Sequence, residues 1–216
     1  MDHYQTLGII PWQRKNVASN NQSTIETTEQ LNWETLQKTV AQCTKCQLHQ
    51  SRTQTVFGVG NLTAELMIIG EAPGFYEDQQ GEPFVGRAGQ LLTAMINTIG
   101  LTRQQVYIAN ILKCRPPNNR DPAALEVQEC THYLDQQIKL INPKLLLAVG
   151  RIAAHYLLKT KSSLESLRNR LHQYGDSKTP LIVTYHPAYL LRTPQDKKKA
   201  YFDLQFTLRT LNSGII

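Results

Sequence analysis

Four short apolar runs, each ending in a glycine or a polar residue, set the tightest limit on how this chain can fold. Leu66-Met67-Ile68-Ile69 breaks into Gly70-Glu71-Ala72-Pro73-Gly74, and Val106-Tyr107-Ile108-Ala109 delivers Asn110. Leu145 to Val149 delivers Gly150 and Arg151, and Leu181 to Tyr185 delivers His186-Pro187. Runs of this length and apolarity predict buried strands. Helical patterns lie between them. Leu91, Leu92, Met95, Ile96 and Ile99 form an amphipathic stripe from Gly86 to Gly100, and Asp121-Pro122 reads as an N-cap opening a helix that Asn142-Pro143 stops. A third helix is expected after Gly150, and a last one from Asp196 to Leu211 with Tyr201, Leu204, Leu208 and Leu211 on one face. The alternation predicts an α/β fold, a three-layer α/β/α sandwich with a central, mostly parallel four-stranded sheet. Ligands of such sheets collect beyond the carboxyl ends of the strands, so the four ends predict one shared site.

At 216 residues the chain has material for one well-buried core. Residues 31–216 are expected to form it. Residues 1–30 are rich in Gln, Asn, Thr and Ser without periodicity and read as a disordered or peripheral tail, with Trp12 free to dock. No apolar run approaches the roughly 18 residues that span a bilayer, and no secretory signal opens the chain, so a cytoplasmic protein without a membrane partner is expected. A monomer is the expected state. The formal net charge of +6 favours a polyanionic partner.

The four cysteines are the right number for one metal centre. Leu31, Trp33, Leu36 and Val40 suggest a short helix running into Cys43-Thr44-Lys45-Cys46, while Cys114 and Cys130 must be brought in by folding. A CxxC pair chelates one ion or binds two irons of a cluster, and the spacing does not choose between zinc and iron-sulfur. Disulfides are disfavoured inside cells. Cys114 follows Asn110 by four residues, so a metal there would brace the loop Arg115-Pro116-Pro117-Asn118-Asn119-Arg120. Its arginines suit phosphates.

Several ordered motifs together resemble the family 4 uracil-DNA glycosylases, the iron-sulfur branch of the uracil-DNA glycosylase superfamily. They are Cys43-x2-Cys46, Gly70-Glu71-Ala72-Pro73-Gly74 with Glu77-Asp78, Pro83-Phe84-Val85-Gly86, Asn110 before Cys114-Arg115-Pro116-Pro117, Cys130, and His186-Pro187-Ala188-Tyr189-Leu190-Leu191-Arg192. The likeness runs from about Leu36 to Leu211. It implies a 4Fe-4S cluster on Cys43, Cys46, Cys114 and Cys130, and a pocket for uracil flipped out of single- or double-stranded DNA. Hydrolysis of the N-glycosidic bond would leave an abasic site. Relatives that crosslink to DNA carry a basic, histidine-containing insertion after the Asn-bearing strand; this chain has none there, which fits the hydrolytic branch.

On that resemblance Phe84 stacks on the base, and the Asn110 amide reads its edge by accepting from uracil N3–H and donating to O4. His186 donates to O2 as negative charge builds there, with backbone N–H groups near Glu71 and Ala72 assisting and Gly70 lining the pocket. Ala72 stands where a better-known branch has an aspartate, so water activation falls to Glu71, either by its carboxylate or by its backbone alone. Glu77 borders the C5 edge of the base. Leu190 or Leu191 fills the vacated stack, and Arg115, Arg120, Arg192 and Arg87 meet phosphates. Lys197-Lys198-Lys199 reads as a solvated helix face, and the remaining histidines as structural. The competing readings are a glycosylase for other deaminated bases, an iron-sulfur DNA-binding module without activity, and a zinc-stabilised fold with no nucleic-acid role.

Overall fold

The computed structural model describes residues 32–213, so the expectations for the N-terminal tail and Trp12 lie outside the described residues. Asn32 caps helix α1 (Trp33–Ala41) by accepting from Thr35 N, and Leu36 and Val40 turn inward. Then come β1 (Val59–Gly60), β2 (Leu66–Gly70), α2 (Phe75–Gln80), α3 (Arg87–Asn97), β3 (Tyr107–Asn110), α4 (Ala124–Ile141) and β4 (Leu145–Val149). The chain continues through α5 (Arg151–Leu157), α6 (Leu164–Leu167), β5 (His172–Tyr174), β6 (Thr179–Thr184), α7 (Pro187–Arg192) and α8 (Lys197–Asn212).

The sheet has six strands, in the order β1-β3-β2-β4-β6-β5, where the sequence predicts four. The middle four are the predicted ones and run parallel. The two additions are antiparallel edges. Val59-Gly60 is too short for any periodicity to register, and His172-Gln173-Tyr174 is polar because an edge strand is not covered on both sides. Each central strand sends alternate residues to opposite faces. Met67, Ile69, Ala148 and Val183 pack under α1, α4 and α5, while Ile68, Ile108, Leu147 and Ile182 pack under α3 and α8. These two cores make the three layers.

Two helices depart from their predicted form. α4 begins at Ala124 rather than beside Pro122, because the Glu126 carboxylate reaches back to accept from Ala123 N (2.8 Å) and caps the helix itself. Asn142 ends it in the left-handed region (φ 49°). On α8, Tyr201 faces solvent at 47% exposure, away from Leu204. The buried face carries Ala200, Asp203, Leu204 and Thr207. An apolar stripe could not reveal that Asp203 belongs inside. Its carboxylate is fully buried and accepts from Arg168 Nε (2.8 Å), Arg168 Nη2 (3.1 Å) and Thr184 Oγ1 (2.8 Å).

That ion pair ties α8 to the last residue of β6, two positions before His186. Removing one partner of a buried pair leaves an uncompensated charge. Arg168→Met is therefore expected to destabilise the fold by roughly 3–5 kcal/mol, read from the urea unfolding midpoint; an unchanged midpoint would contradict the role assigned to the pair.

Candidate active site

The chain visits β2, then β3 on one side, then β4 on the other, so the residues just past β2 lie at a topological switch point. A cleft of about 470 Å³ opens there, and Glu71, Ala72, Glu77, Phe84, Asn110 and His186 all line it. Gly70 is its floor. Gly70 pairs with Asn110 across β2 and β3, and a Cβ at position 70 would lie 2.4 Å from Asn110 Oδ1 and 2.6 Å from Phe84 Cζ. Only glycine lets these two side chains meet over the strand end.

Asn110 is buried, and its Oδ1 is a shielded acceptor with no hydrogen-bond partner among the described residues. Leaving such an atom unpaired costs roughly 1–3 kcal/mol, which a donor on a bound ring would relieve. Phe84 lines the same cleft with its backbone in the left-handed region, at φ 56°. Several groups hold that unfavourable backbone. Arg103 donates to the carbonyls of Pro83 (2.9 Å) and Phe84 (3.2 Å), and Glu77 Oε1 accepts from Val85 N (3.0 Å) and Gly86 N (3.1 Å). Helix α3 approaches so closely that a Cβ on Gly89 would fall 1.7 Å from the Phe84 carbonyl oxygen.

His186 lies 5.7 Å from Phe84, ring centroid to centroid. It caps α7, its Nδ1 accepting from Ala188 N (3.1 Å). An accepting Nδ1 puts the ring proton on Nε2. Burial, with Arg192 adding and Glu77 opposing, holds the imidazole down at about 4, so it is neutral at neutral pH. Glu71 moves the other way. Burial, reinforced by Asp121 and opposed by Arg151, pushes its carboxyl up to about 7. Asp121 and Arg151 face each other at 3.5 Å. Asp121 lines the same cleft, yet in the sequence it reads only as a helix cap.

The predicted DNA contacts separate into two groups. Arg120 and Arg192 line the cleft, with Arg120 held by Glu126 (Nη1 to Oε2, 2.8 Å). Arg115 lies outside the lining, over the Phe75 ring (5.0 Å), and Arg87 is exposed. Leu190 is fully buried in the core and cannot be a wedge; Leu191, 36% exposed, is the residue free to act as one.

Cys43, Cys46, Cys114 and Cys130 line one small pocket, all four as free thiols. Among the described residues, no three His, Cys, Asp or Glu side chains converge as a single-ion site. Burial pushes the Cys130 thiol up to about 12 and raises Cys46 and Cys114. Two N–H donors favour charge on sulfur: Arg52 Nη1 to Cys114 (3.1 Å) and Lys113 N to Cys130 (3.2 Å). Four soft donors with N–H groups aimed at the sulfurs fit an iron-sulfur cluster. Sequence reasoning missed Lys113, which is fully buried between the cysteines and the cleft. Its ammonium donates to the Asn110 carbonyl (2.9 Å) and to Gln137 Oε1 (2.6 Å), and Gln137 donates in turn to the Phe57 carbonyl (2.9 Å). No spacing rule singles out a lysine beside a cysteine, and only burial shows its use.

Hydrogen bonds to a charged acceptor contribute roughly 1.5–3 kcal/mol. Glu77→Ala is accordingly expected to speed amide exchange at Val85 and Gly86 by about tenfold or more, while exchange within β2 stays unchanged. Protection retained at both amides would show that Glu77 does not hold the Phe84 loop.

The sequence pattern of the Uracil DNA glycosylase superfamily matches residues 57–207. A type-4 uracil-DNA glycosylase of Archaeoglobus fulgidus is 44% identical over 77% of this chain and 86% of its own length. Type-4 enzymes of Sulfurisphaera tokodaii and Thermotoga maritima are each 45% identical, over 76% and 74% of this chain and 78% and 83% of their own. Identity at this level across most of both partners, on a frame whose strand ends build the cleft just described, shows that the chain belongs to the type-4 branch of the uracil-DNA glycosylase superfamily.

Proposed function

We propose that this chain excises uracil from DNA by hydrolysing the N-glycosidic bond, leaving an abasic site. The observation that carries the reading is the unpartnered Asn110 Oδ1, set in one cleft with the Phe84 ring and the His186 imidazole. A base must leave the duplex stack to be cut, at a cost of a few kcal/mol, and Phe84 offers a face that offsets part of it. The Asn110 oxygen accepts from uracil N3–H, and its amide nitrogen donates to O4. Cytosine presents the reverse pattern and would leave buried groups unpaired, which discriminates by roughly 10⁴-fold or more.

As the bond breaks, the electron pair passes to the base and negative charge accumulates at O2. A neutral His186, its Nδ1 occupied by Ala188 N and its proton therefore on Nε2, donates there, and the backbone N–H groups of Glu71 and Ala72 add to the same field. Glu71, ionised above about 7, orients water toward the cation-like sugar carbon and takes its proton. Glu77 positions the Phe84 loop and borders the C5 edge of the ring. Arg115, Arg120 and Arg192 hold phosphates, and Leu191 fills the gap left by the flipped base.

A 4Fe-4S cluster on Cys43, Cys46, Cys114 and Cys130 would supply a rigid crosslink between the segment after α1, the loop after β3, and α4. Type-4 membership and the four thiols around one pocket support it. The type-4 relatives are uracil-DNA glycosylases, which supports a protein working on DNA in the cytoplasm, and a monomer is the state we propose. Among the described residues, no helix is long and apolar enough to cross a membrane.

Single- and double-stranded oligonucleotides carrying one uracil, treated with purified protein and then cleaved at abasic sites, test the activity directly. Product is expected, and its absence from both would end the proposal. His186→Ala should lower kcat by about 10²–10³ with little change in binding; equal losses in both would contradict a role confined to the transition state.

The pH dependence separates Glu71 from His186. A carboxyl pushed up to about 7 loses its proton as the pH rises, so kcat/KM is expected to climb through about 7 and then level. His186, already neutral above about 4, contributes nothing to that limb. Glu71→Gln should lower the plateau and abolish the limb. A limb that persists in this variant would assign water activation elsewhere.

A further inference from the structure

Helix α2 is turned inside out. Its acids face the protein, with Asp78 buried and accepting from Thr53 N at 3.0 and 3.1 Å through its two oxygens and Glu77 holding the amides of Val85 and Gly86. Its aromatics face outward, Phe75 at 50% and Tyr76 at 60% exposure. A short helix normally buries its rings and solvates its carboxylates. Here the carboxylates are committed to backbone amides, so Phe75 and Tyr76 are left on the surface.

The two rings lie on the rim of the base cleft. Gly74 and Glu77, which flank them, line the cleft, and Tyr76 lies against Gly86 at the end of the Phe84 loop, its Cδ2 3.4 Å from where a Cβ would stand. Phe75 and Tyr76 meet edge to face with centroids 5.5 Å apart, and the Arg115 guanidinium lies over the Phe75 ring at 5.0 Å. Arg115 donates from Nε to Asn119 Oδ1 (2.7 Å), and Asn119 is itself part of the cleft wall. Rings and a guanidinium plane side by side, continuous with a pocket for a flipped base, make a surface that takes flat heterocycles on a polyanionic strand.

We propose that Phe75 and Tyr76, with Arg115, form a stacking platform for an unpaired nucleobase adjacent to the extruded uridine, a contact specific to single-stranded DNA. It rests on the reading of the cleft as a uracil pocket. A paired base has both faces covered by its neighbours in the duplex, whereas an unpaired one offers a free π-face regardless of its identity. The platform therefore binds without sequence preference and adds to single-stranded substrates what the duplex cannot use.

The test places 2-aminopurine next to the uracil in a single-stranded oligonucleotide and titrates it with the full-length chain. Binding is expected to change the probe's emission, and Phe75→Ala/Tyr76→Ala to remove that change. The same variant should raise KM for single-stranded uracil DNA by about tenfold or more, with kcat and duplex cleavage within about twofold. Phe75→Tyr/Tyr76→Phe, which keeps both rings, should restore the signal and the KM. An unchanged single-stranded KM, or equal losses on single and double strands, would overturn the platform while leaving uracil excision intact. If the parent chain releases no uracil, the excision reading fails, and the emission titration still decides whether the rings stack on DNA.

Discussion

The site depends on a register between two parallel strands. β2 and β3 are aligned so that Gly70 faces Asn110, and the missing side chain at position 70 is the space into which the Asn110 amide and the Phe84 ring project. A one-residue slip would reverse the face of every side chain on the strand and send Asn110 into a core. That slip is blocked by burial, since Met67, Ile68 and Ile69 are fully enclosed and alternate between the two cores. The placement of Asn110 in the cleft therefore rests on hydrophobic packing several residues upstream of it.

Buried polar groups hold the frame on either side of this register. Lys113 joins the Asn110 carbonyl to Gln137 and lies beside two of the cysteines, so α4, β3 and the cysteine pocket share one anchor. Burial lowers this ammonium to about 8, opposed by charge on Cys130 and Cys114. On the other side of the cleft, Arg168 and Asp203 fix Thr184 and, through β6, the position of His186. Gly150 completes the fit. Its positive φ of 100° and the 2.9 Å separation between a hypothetical Cβ there and His186 Cβ leave no room for a side chain.

Electrostatics separates two groups that share the cleft. The same enclosure that lowers His186 raises Glu71, because burial disfavours whichever form is charged. A neutral donor and a carboxyl poised near neutrality result from one environment. The exposed pair Asp121 and Arg151 adjusts only Glu71, with opposite signs. The Phe84 backbone, at positive φ, is held by Arg103, Glu77 and the close approach of Gly89, so strain is stored in the cleft wall itself.

The four central strands, the long helices between them, the three layers, the four cysteines as a candidate set and the convergence of the strand ends bearing Asn110 and His186 on one cleft were legible in the sequence, whereas the short helices α2, α6 and α7 were not. Each legible feature is carried by local signals: apolar runs long enough to count, turn residues at their ends, and motifs of fixed spacing. The edge strands were not legible either, because two residues have no period and a polar three-residue run looks like loop. Nor was the choice between Leu190 and Leu191, which are neighbours in sequence but are sent to core and solvent by the helix they share. Lys113, Asp203 and the outward rings of α2 run against their residue types, and their burial or exposure is settled by partners 24 to 35 positions away or by amides in another loop. The sequence by itself determined which strands form and which side chains stand at their ends, since burial and turn chemistry act over a few residues. Only the tertiary structure decided which polar groups are left without a partner and which charges are shifted, because those properties belong to the surroundings that folding assembles.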